Sequence, residues 1–224
     1  MSQDFPPFLL DGYRSFMTGR YNSERDRYRS LAENGQHPTT LVIACCDSRS
    51  APETIFDCGP GQLFVLRNVA NLVPPFGPDA AFHGTSSAIE FAVVHLEVSD
   101  IVVMGHGRCG GIQSALATAA GNAPEGNFIG RWLNMVKDVA GEIEANHLLT
   151  PAEQQTALER ITIRQSIGNL MTFPFVQSRV KAQALSLHGA WFDISTGELW
   201  VMNGESGDFA RPDLSMRETP EPTG

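Results

Sequence analysis

Three residues of this sequence carry side chains that bind metals well. His106 and Cys109 are separated by two residues in the glycine-rich stretch GHGRCGG, and Cys45 lies much earlier, in ACCDSR. A ligand set of two thiolates and one imidazole suits zinc. Three protein ligands leave the fourth tetrahedral position open for water, which is the arrangement of a catalytic zinc site. The sequence therefore predicts such a site if the fold brings Cys45 to the other two residues.

Two charged residues follow Cys45 at alternate positions, in the pattern C-x-D-x-R. On an extended backbone alternate side chains point to the same side, which would place Asp47 and Arg49 beside the thiolate. A guanidinium group can hold a carboxylate through two parallel hydrogen bonds. We therefore expect Arg49 to orient Asp47 at the edge of the metal site.

The glycine-rich stretch also matches a second motif. Gly105, Gly107 and Gly110 spell G-x-G-x-x-G, the fingerprint of dinucleotide-binding folds. In those folds a second strand follows the first helix and ends in an acidic residue, whereas another helical segment follows here. We therefore interpret the glycines as part of a tight turn between two metal ligands.

Other cysteines and histidines receive simpler interpretations. Cys46 and Cys58 are interpreted as inert buried residues. No C-x-x-C pair occurs, and the adjacent Cys45 and Cys46 do not suit disulfide geometry, so a redox role is disfavoured. His188 lies in a predicted strand that could approach the site. A non-catalytic zinc module is an alternative that the open ligand position and the charged pair disfavour.

The elements that must position these residues alternate between strand and helix. Apolar runs rich in β-branched residues predict strands at 39–46, 62–68 and 100–106. A helix is predicted at 84–98, immediately before the last of these strands. This alternation is typical of a mostly parallel α/β sheet flanked by helices, in which functional residues collect at the carboxyl ends of strands. Cys45 and His106 both stand at such ends, so neighbouring strands would bring them together.

The whole chain divides into an arm, a domain and a tail. Further predicted elements are helices at 8–18, 22–34, 127–147 and 150–172, a short helix in APETIFD and a hairpin at 186–203. Residues 1–38 are polar and form a predicted N-terminal helical arm that must pack on something else. Residues 39–204 form the predicted zinc-binding α/β domain, and residues 205–224 a C-terminal tail.

Composition and charge exclude several classes of function. The 224 residues are 42% hydrophobic and 18% charged, which is typical of a globular domain. The net charge of −9 argues against a nucleic-acid-binding protein. No apolar run reaches the roughly 18 residues of a membrane-spanning helix, and the N-terminus lacks a secretory pattern. We therefore expect a cytoplasmic protein with no nucleic-acid or membrane partner.

Four stretches, in this order, resemble the β-class carbonic anhydrases: ACCDSRS, LFVLRNVANLVPP, SSAIEFAVVHLEVSDIVVMGHGRCGG and LHGAWFDISTGEL. The resemblance implies the fold of that family and the reversible hydration of carbon dioxide to bicarbonate and a proton, by attack of a zinc-bound hydroxide on CO₂. It also implies one zinc ion per subunit. By the family's pattern the zinc ligands are Cys45, His106 and Cys109, and the catalytic dyad is Asp47 and Arg49.

The resemblance implies further residue roles and a partner. The substrate-binding positions that it carries over are Gln36, Phe64, Val69, Phe91 and Gly110. Gln36 matches a glutamine that bonds bicarbonate in plant-type members, and Phe64 and Val69 match residues that line the CO₂ pocket. Family members place the active site at a dimer interface that the N-terminal helices wrap. The resemblance therefore implies self-association as a dimer or a dimer of dimers.

This sequence departs from the family at several positions. Phe91 stands where plant-type members carry a tyrosine. The regulated bacterial subtype shares Arg67, but it has a tryptophan in place of Val42 and a tyrosine in place of Phe192. Because two parts of that subtype's inhibitory bicarbonate site are absent, we predict a plant-type, non-allosteric pocket. Carbonyl sulfide and carbon disulfide hydrolases resemble the same family and share its ligands, so they are the alternative function.

Overall fold

The computed structural model describes residues 5–78, 83–122, 126 and 128–215. Within these residues a six-stranded sheet forms in the order β2-β1-β3-β4-β5-β6. Its strands are β1 (Thr40–Cys45), β2 (Leu63–Asn68), β3 (Asp100–His106), β4 (Ser186–Phe192), β5 (Leu199–Met202) and β6 (Phe209–Ala210). The first four run parallel and the last two are antiparallel additions at one edge. The predicted parallel-dominated α/β fold is confirmed.

Strand β1 is central because its side chains are apolar on both faces. Leu41 and Ile43 enter one core with residues of the helices, whereas Val42 and Ala44 enter a second core on the opposite face. All four are fully buried. Such a continuous apolar run is expected of a parallel strand that is covered on both sides.

Two helices precede the first strand, and the other helices connect the strands or flank the sheet. They are α1 (Pro7–Thr18), α2 (Arg20–Asn34), α3 (Pro52–Ile55), α4 (Gly84–Glu90), α5 (Gly110–Ala119), α6 (Ile129–Leu133), α7 (Lys137–Glu144), α8 (Pro151–Leu170) and α9 (Pro174–Lys181). The long α8 packs against β3 and β4. It begins with the predicted capping box, in which Thr150 and Glu153 satisfy each other's backbone N–H groups.

Most predicted elements agree with the structure, and the differences are local. The helix predicted at 84–98 is α4 followed by a π-helical turn at Phe91–His95. The segment predicted at 127–147 is α6 and α7 joined by a 3₁₀ turn, with residue 127 outside the described residues. Helix α9 was not predicted, because the sequence FPF at its start resembles a helix break, although proline is well suited to the first helical turn.

The arm and the tail differ in how they meet the domain. Helices α1 and α2 contain no buried residue, and they meet through the rings of Phe16, Tyr21 and Tyr28. In the predicted tail, β6 pairs with β5, so part of the tail completes the sheet, whereas residues 216–224 lie outside the described residues. No helix among the described residues has the length and apolarity needed to span a membrane.

Candidate metal centre

The carboxyl ends of β1 and β3 bring the three predicted ligands together. The two strands are parallel neighbours, and Ala44 pairs with Met104. Cys45 therefore ends its strand beside the end of β3, where His106 is the last residue. The chain then turns through Gly107 and Arg108 and starts α5, with Cys109 at its N-cap. Below, residues 45–49 are called the Cys45 segment and residues 106–109 the His106 turn.

The ligand atoms of the three residues form a tight, buried cluster. The Sγ atoms of Cys45 and Cys109 lie 3.9 Å apart, and all three ligand atoms lie within 4.8 Å of one another. The side chains are almost completely buried, with exposed fractions of 5%, 1% and 1%. A tetrahedral zinc ion with Zn–S bonds near 2.3 Å separates two sulfur ligands by about 3.8 Å. The cluster therefore has the dimensions of a zinc site.

His106 is oriented so that one ring nitrogen can bind a metal. Its Nδ1 lies 2.9 Å from the carbonyl oxygen of Gly107, to which it donates as an N–H. This fixes the tautomer and leaves a lone pair on Nε2. Nε2 is buried and has no hydrogen-bond partner among the described residues. A buried acceptor without a partner beside two thiols fits a metal ligand. If it bound no metal, its burial without a hydrogen bond would cost free energy.

The two thiols are electrostatically coupled. A hydrogen bond from the Cys109 thiol lowers the pKa of Cys45 to about 4, and the same interaction raises the pKa of Cys109. The backbone N–H of Ala70 also points at the Cys45 sulfur, at 3.4 Å. Ala70 and Asn71 adopt left-handed backbone angles, with φ of 63° and 48°, to make this approach. A bound cation would stabilise both sulfurs as thiolates.

The charged pair of the Cys45 segment has the predicted geometry. Arg49 donates from Nε to Asp47 Oδ1 at 2.9 Å and from Nη2 to Oδ2 at 2.8 Å. The Arg49 guanidinium holds the pKa of the Asp47 carboxyl well below its usual range. Asp47 Oδ2 lies 3.9 Å from His106 Nε2, so the carboxylate faces the metal cluster. Arg67, from β2, donates to the carbonyl oxygens of Cys45 and Asp47 at 2.8 and 2.7 Å and fixes the backbone of this segment.

A buried carboxylate that was not predicted from the sequence lies behind the His106 turn. Glu159, in α8, accepts hydrogen bonds from the backbone N–H of Cys109 at 2.9 Å and from Nε1 of Trp191 at 3.0 Å. Its exposed fraction is only 2%. A signal existed in the sequence, because Glu159 shares the helical spacing of the buried residues Thr162, Ile163 and Ser166 on the inner face of α8.

The predicted substrate-binding residues fall into two groups. Val69 and Gly110 lie near the ligands, since Val69 precedes Ala70 and Gly110 follows Cys109. Phe64 lies near the start of β2, four residues before Asn68, the partner of Cys45. At about 3.3 Å per residue, this places Phe64 about 13 Å from that end of the strand.

Phe91 and Gln36 belong with Phe64. The rings of Phe64 and Phe91 lie 5.8 Å apart, and Gln36 is exposed before the amino end of β1. Within one chain these three residues are therefore remote from the metal cluster. Phe91 is 44% exposed and could still contact a second molecule.

The interpretations of the other cysteines and of His188 are corrected. Cys46 is exposed and Cys58 half-buried, so neither is a buried core residue, because each follows its strand or helix in a surface turn. His188 pairs in register with Val102 and bonds Asp100 at 2.8 Å. It therefore lies toward the amino edge of the sheet and does not approach the metal cluster.

Comparisons with known proteins agree with this geometry. Residues 40–199 match the family model described as Carbonic anhydrase. The chain is 35% identical over 200 residues to β carbonic anhydrase 3 of Arabidopsis thaliana, an alignment that covers 87% of this chain and 76% of that protein. The solved structure of the β-carbonic anhydrase CcaA has a TM-score of 0.85 and 32% identity, covering 94% of this chain and 93% of that one. A structure from work on two tetrameric β-carbonic anhydrases of Sordaria macrospora has a TM-score of 0.74 and 29% identity, covering 91% and 97%.

Proposed function

Because this chain belongs to the β-class carbonic anhydrases, which are zinc enzymes, we propose that it catalyses the reversible hydration of carbon dioxide to bicarbonate and a proton. The observation that carries this proposal is the buried Cys45–His106–Cys109 cluster with the Asp47 carboxylate facing it. A purely structural zinc site would have four protein ligands, whereas three ligands leave a position for reaction. The proposed ligands are Cys45 Sγ, Cys109 Sγ and His106 Nε2.

A zinc ion held by these three ligands would supply a nucleophile at neutral pH, because zinc lowers the pKa of bound water to about 7. Asp47, whose carboxylate faces the cluster, is proposed to orient the attacking group by accepting a hydrogen bond from it. Its low pKa suits this role, since a carboxylate that stays ionised at neutral pH is an acceptor only.

Arg49 has the complementary role of holding Asp47 in place. Both carboxylate oxygens are bonded to the guanidinium, so the carboxylate cannot rotate freely toward the metal cluster. Release of Asp47 by Arg49 would free Oδ2, which lies 3.9 Å from His106 Nε2, to compete for the open metal position. We propose that the pair keeps the site open.

The substrate pocket is proposed to require a second copy of this chain. Val69 and Gly110 are near the ligands of their own chain, whereas Gln36, Phe64 and Phe91 are remote from them. A partner subunit can bring the second group to the metal cluster, which would explain why Phe91 is 44% exposed. The tetrameric relatives from Sordaria macrospora support self-association.

The N-terminal arm is the proposed dimerisation element. Helix α1 exposes large apolar side chains, among them Phe8 at 73% and Tyr13 at 59%, and buries none. Exposed apolar patches of this kind are typical of interaction surfaces. A cytoplasmic location stays a prediction.

The pocket is proposed to be plant-type and non-allosteric. Val42 is fully buried in the core, and Arg67 already donates to two backbone carbonyls. We therefore expect bicarbonate to inhibit CO₂ hydration only as a simple competing product. A titration of bicarbonate against initial rate checks this, and steep cooperative inhibition would contradict it.

The function is tested by stopped-flow CO₂ hydration with metal analysis of the same samples. We expect about one zinc per chain and rapid hydration from the wild type, and loss of both in Cys45→Ala. Cys46→Ala is the matched control, because Cys46 is adjacent but exposed. A parallel assay with carbonyl sulfide distinguishes carbonic anhydrase activity from the alternative hydrolase activity. Zinc-loaded protein that hydrolyses carbonyl sulfide but does not hydrate CO₂ would contradict the proposal.

A further inference from the structure

Helix α8 places an acidic side chain in the interior behind the His106 turn. We propose that Glu159 is a positioning residue that sets the geometry of the Cys109 ligand, by holding the His106 turn through Cys109 and through Trp191. This inference rests on the proposed zinc site and deepens it. It assigns a role to a residue that touches no reacting atom.

The surroundings of Glu159 contain hydrogen-bond donors directed at both of its oxygens. Oε1 accepts from the Cys109 backbone N–H at 2.9 Å and from Nε2 of Gln155 at 3.1 Å, and Oε2 accepts from Nε1 of Trp191 at 3.0 Å. Burial raises the pKa of Glu159, while these donors lower it. Burying a carboxylate costs more than burying an apolar side chain of similar size. Its presence is therefore best explained by the groups that it holds.

The direct contact acts on the ligand that ends the turn. Cys109 is the N-cap of α5, where a backbone N–H has no partner within the helix. Glu159 supplies that partner from a helix 50 positions further along the chain. The preceding residue, Arg108, has a left-handed φ of 57°, which costs free energy and needs support from its surroundings. A bond to the next residue supplies such support.

The indirect contact acts on the other end of the turn. A Cβ atom added at Gly107 would lie 3.1 Å from Cζ2 of Trp191, so this ring packs directly against the turn. Trp191 also pairs with Gly105 across β3 and β4. The bond from its Nε1 to Glu159 fixes the ring orientation. Arg160 stacks on the same ring at 4.6 Å, which leaves the indole little freedom to rotate.

These contacts predict an effect on metal affinity rather than on folding alone. Outer partners that orient metal ligands typically change affinity by about 10- to 100-fold when they are removed. We expect Glu159→Ala to weaken zinc binding by that factor, measured by competition with a chromophoric chelator. In Co²⁺-loaded protein the thiolate-to-cobalt absorption band should shift, because the Cys109 sulfur is held less firmly.

Combining Glu159→Gln with Trp191→Phe distinguishes a change in the geometry of the ligand from a general loss of stability. In Glu159→Gln an amide oxygen can still accept from Cys109, but its NH₂ group would then face the Trp191 N–H, and two donors repel. Trp191→Phe removes that conflict. We therefore expect the loss of zinc affinity caused by Glu159→Gln to be several-fold smaller in the Trp191→Phe background. These variants keep the side-chain volume at position 159, so the test holds even if Glu159→Ala does not fold.

Leu170→Ala is the control for lost stability, because Leu170 is fully buried at the carboxyl end of the same helix, about three turns from Glu159. It should lower the melting temperature without changing zinc affinity. Wild-type affinity in Glu159→Ala, an equal affinity loss in Leu170→Ala, or equal effects of Glu159→Gln in both backgrounds would each overturn the inference. A wild type that binds zinc but does not hydrate CO₂ would refute the proposed function and leave this inference standing.

Discussion

The Cys45 segment and the His106 turn both supply ligands to one cluster, yet they are held in different ways. In the Cys45 segment the charged pair is partly exposed, with side-chain exposures of 50% for Arg49 and 16% for Asp47. Behind the His106 turn the supporting carboxylate, Glu159, is 2% exposed. Two hydrogen-bonded acids therefore flank one site, one at the edge of solvent and one inside the core.

The difference in burial indicates a difference in role. An ion pair at the surface contributes little to stability and exchanges readily with water, so the Asp47–Arg49 pair can rearrange. A buried hydrogen-bonded carboxylate cannot lose its partners without a large free-energy cost, so Glu159 restrains the His106 turn. We infer that the Cys45 segment controls access to the open metal position, whereas the His106 turn fixes the ligands.

The largest expected effect comes from removing a ligand on either side. Cys109→Ser and Cys45→Ser should each reduce zinc affinity and CO₂ hydration by more than about 100-fold, because losing a ligand costs more than losing an outer partner. Metal analysis and stopped-flow rates on the same samples measure both quantities. If either variant kept bound zinc and activity, its side of the cluster would not hold the metal.

The next largest effect is expected from Arg49→Ala, which tests the Asp47–Arg49 pair of the Cys45 segment. Activity should fall by about 100-fold, the usual cost of removing one preorganised catalytic contact, while zinc content and melting temperature stay near wild type. Arg49→Lys should restore activity only in part, since an ammonium group lacks the two-pronged geometry of guanidinium. Loss of zinc, or full activity, in Arg49→Ala would contradict a gating role for this pair.

The packing of the start of α5, which follows the His106 turn, against Val69 and Ala70 can be tested at two neighbouring glycines. A Cβ at Gly111 would lie 2.8 Å from Cγ1 of Val69 and 3.0 Å from Cβ of Ala70, whereas a Cβ at Gly110 meets nothing within 4 Å. Gly111→Ala should therefore lower the free energy of unfolding by about 1–3 kcal/mol, the typical cost of overpacking. Gly110→Ala should be neutral or slightly stabilising, since alanine favours helices. Chemical denaturation compares the two variants, and equal stabilities would show that the start of α5 does not pack tightly against Val69 and Ala70.

The smallest expected effect concerns the start of α8, the helix that carries Glu159. Thr150→Ala removes the capping hydroxyl and should cost about 1 kcal/mol of stability. The backbone N–H and hydroxyl of Thr150 lower the pKa of Glu153. The stabilisation that the ionised Glu153 carboxylate contributes is therefore present above the ordinary glutamate pKa and disappears as the pH falls through the lowered pKa of the folded state. Melting curves of both proteins between neutral and acidic pH check this. Zinc affinity should be unchanged, and a change would mean that the whole of α8 controls the His106 turn.

Much of the fold followed from pattern alone. Features that depend on side-chain type and on spacing within a few residues could be predicted, among them the buried strand TTLVIACC, the three ligand residues and the C-x-D-x-R pair. The π-helical turn at Phe91–His95 and helix α9 were not legible, since local propensity does not distinguish a π turn from a regular one or a proline-led helix from a loop. The residues predicted to bind substrate lie in two places within one chain, a separation that spacing along the sequence does not reveal.

The sequence by itself determined which atoms can bind the metal and which charged pair stands beside them. Only the tertiary structure decided that Glu159, 50 positions from Cys109, supports that ligand, and that Arg67 holds the backbone of the Cys45 segment. The physical reason is that a ligand type is a property of one side chain, whereas a supporting contact exists only once α8 and β2 have packed against β3 and β1. Packing also decided that Gly111, rather than Gly110, is the glycine with no space for a side chain.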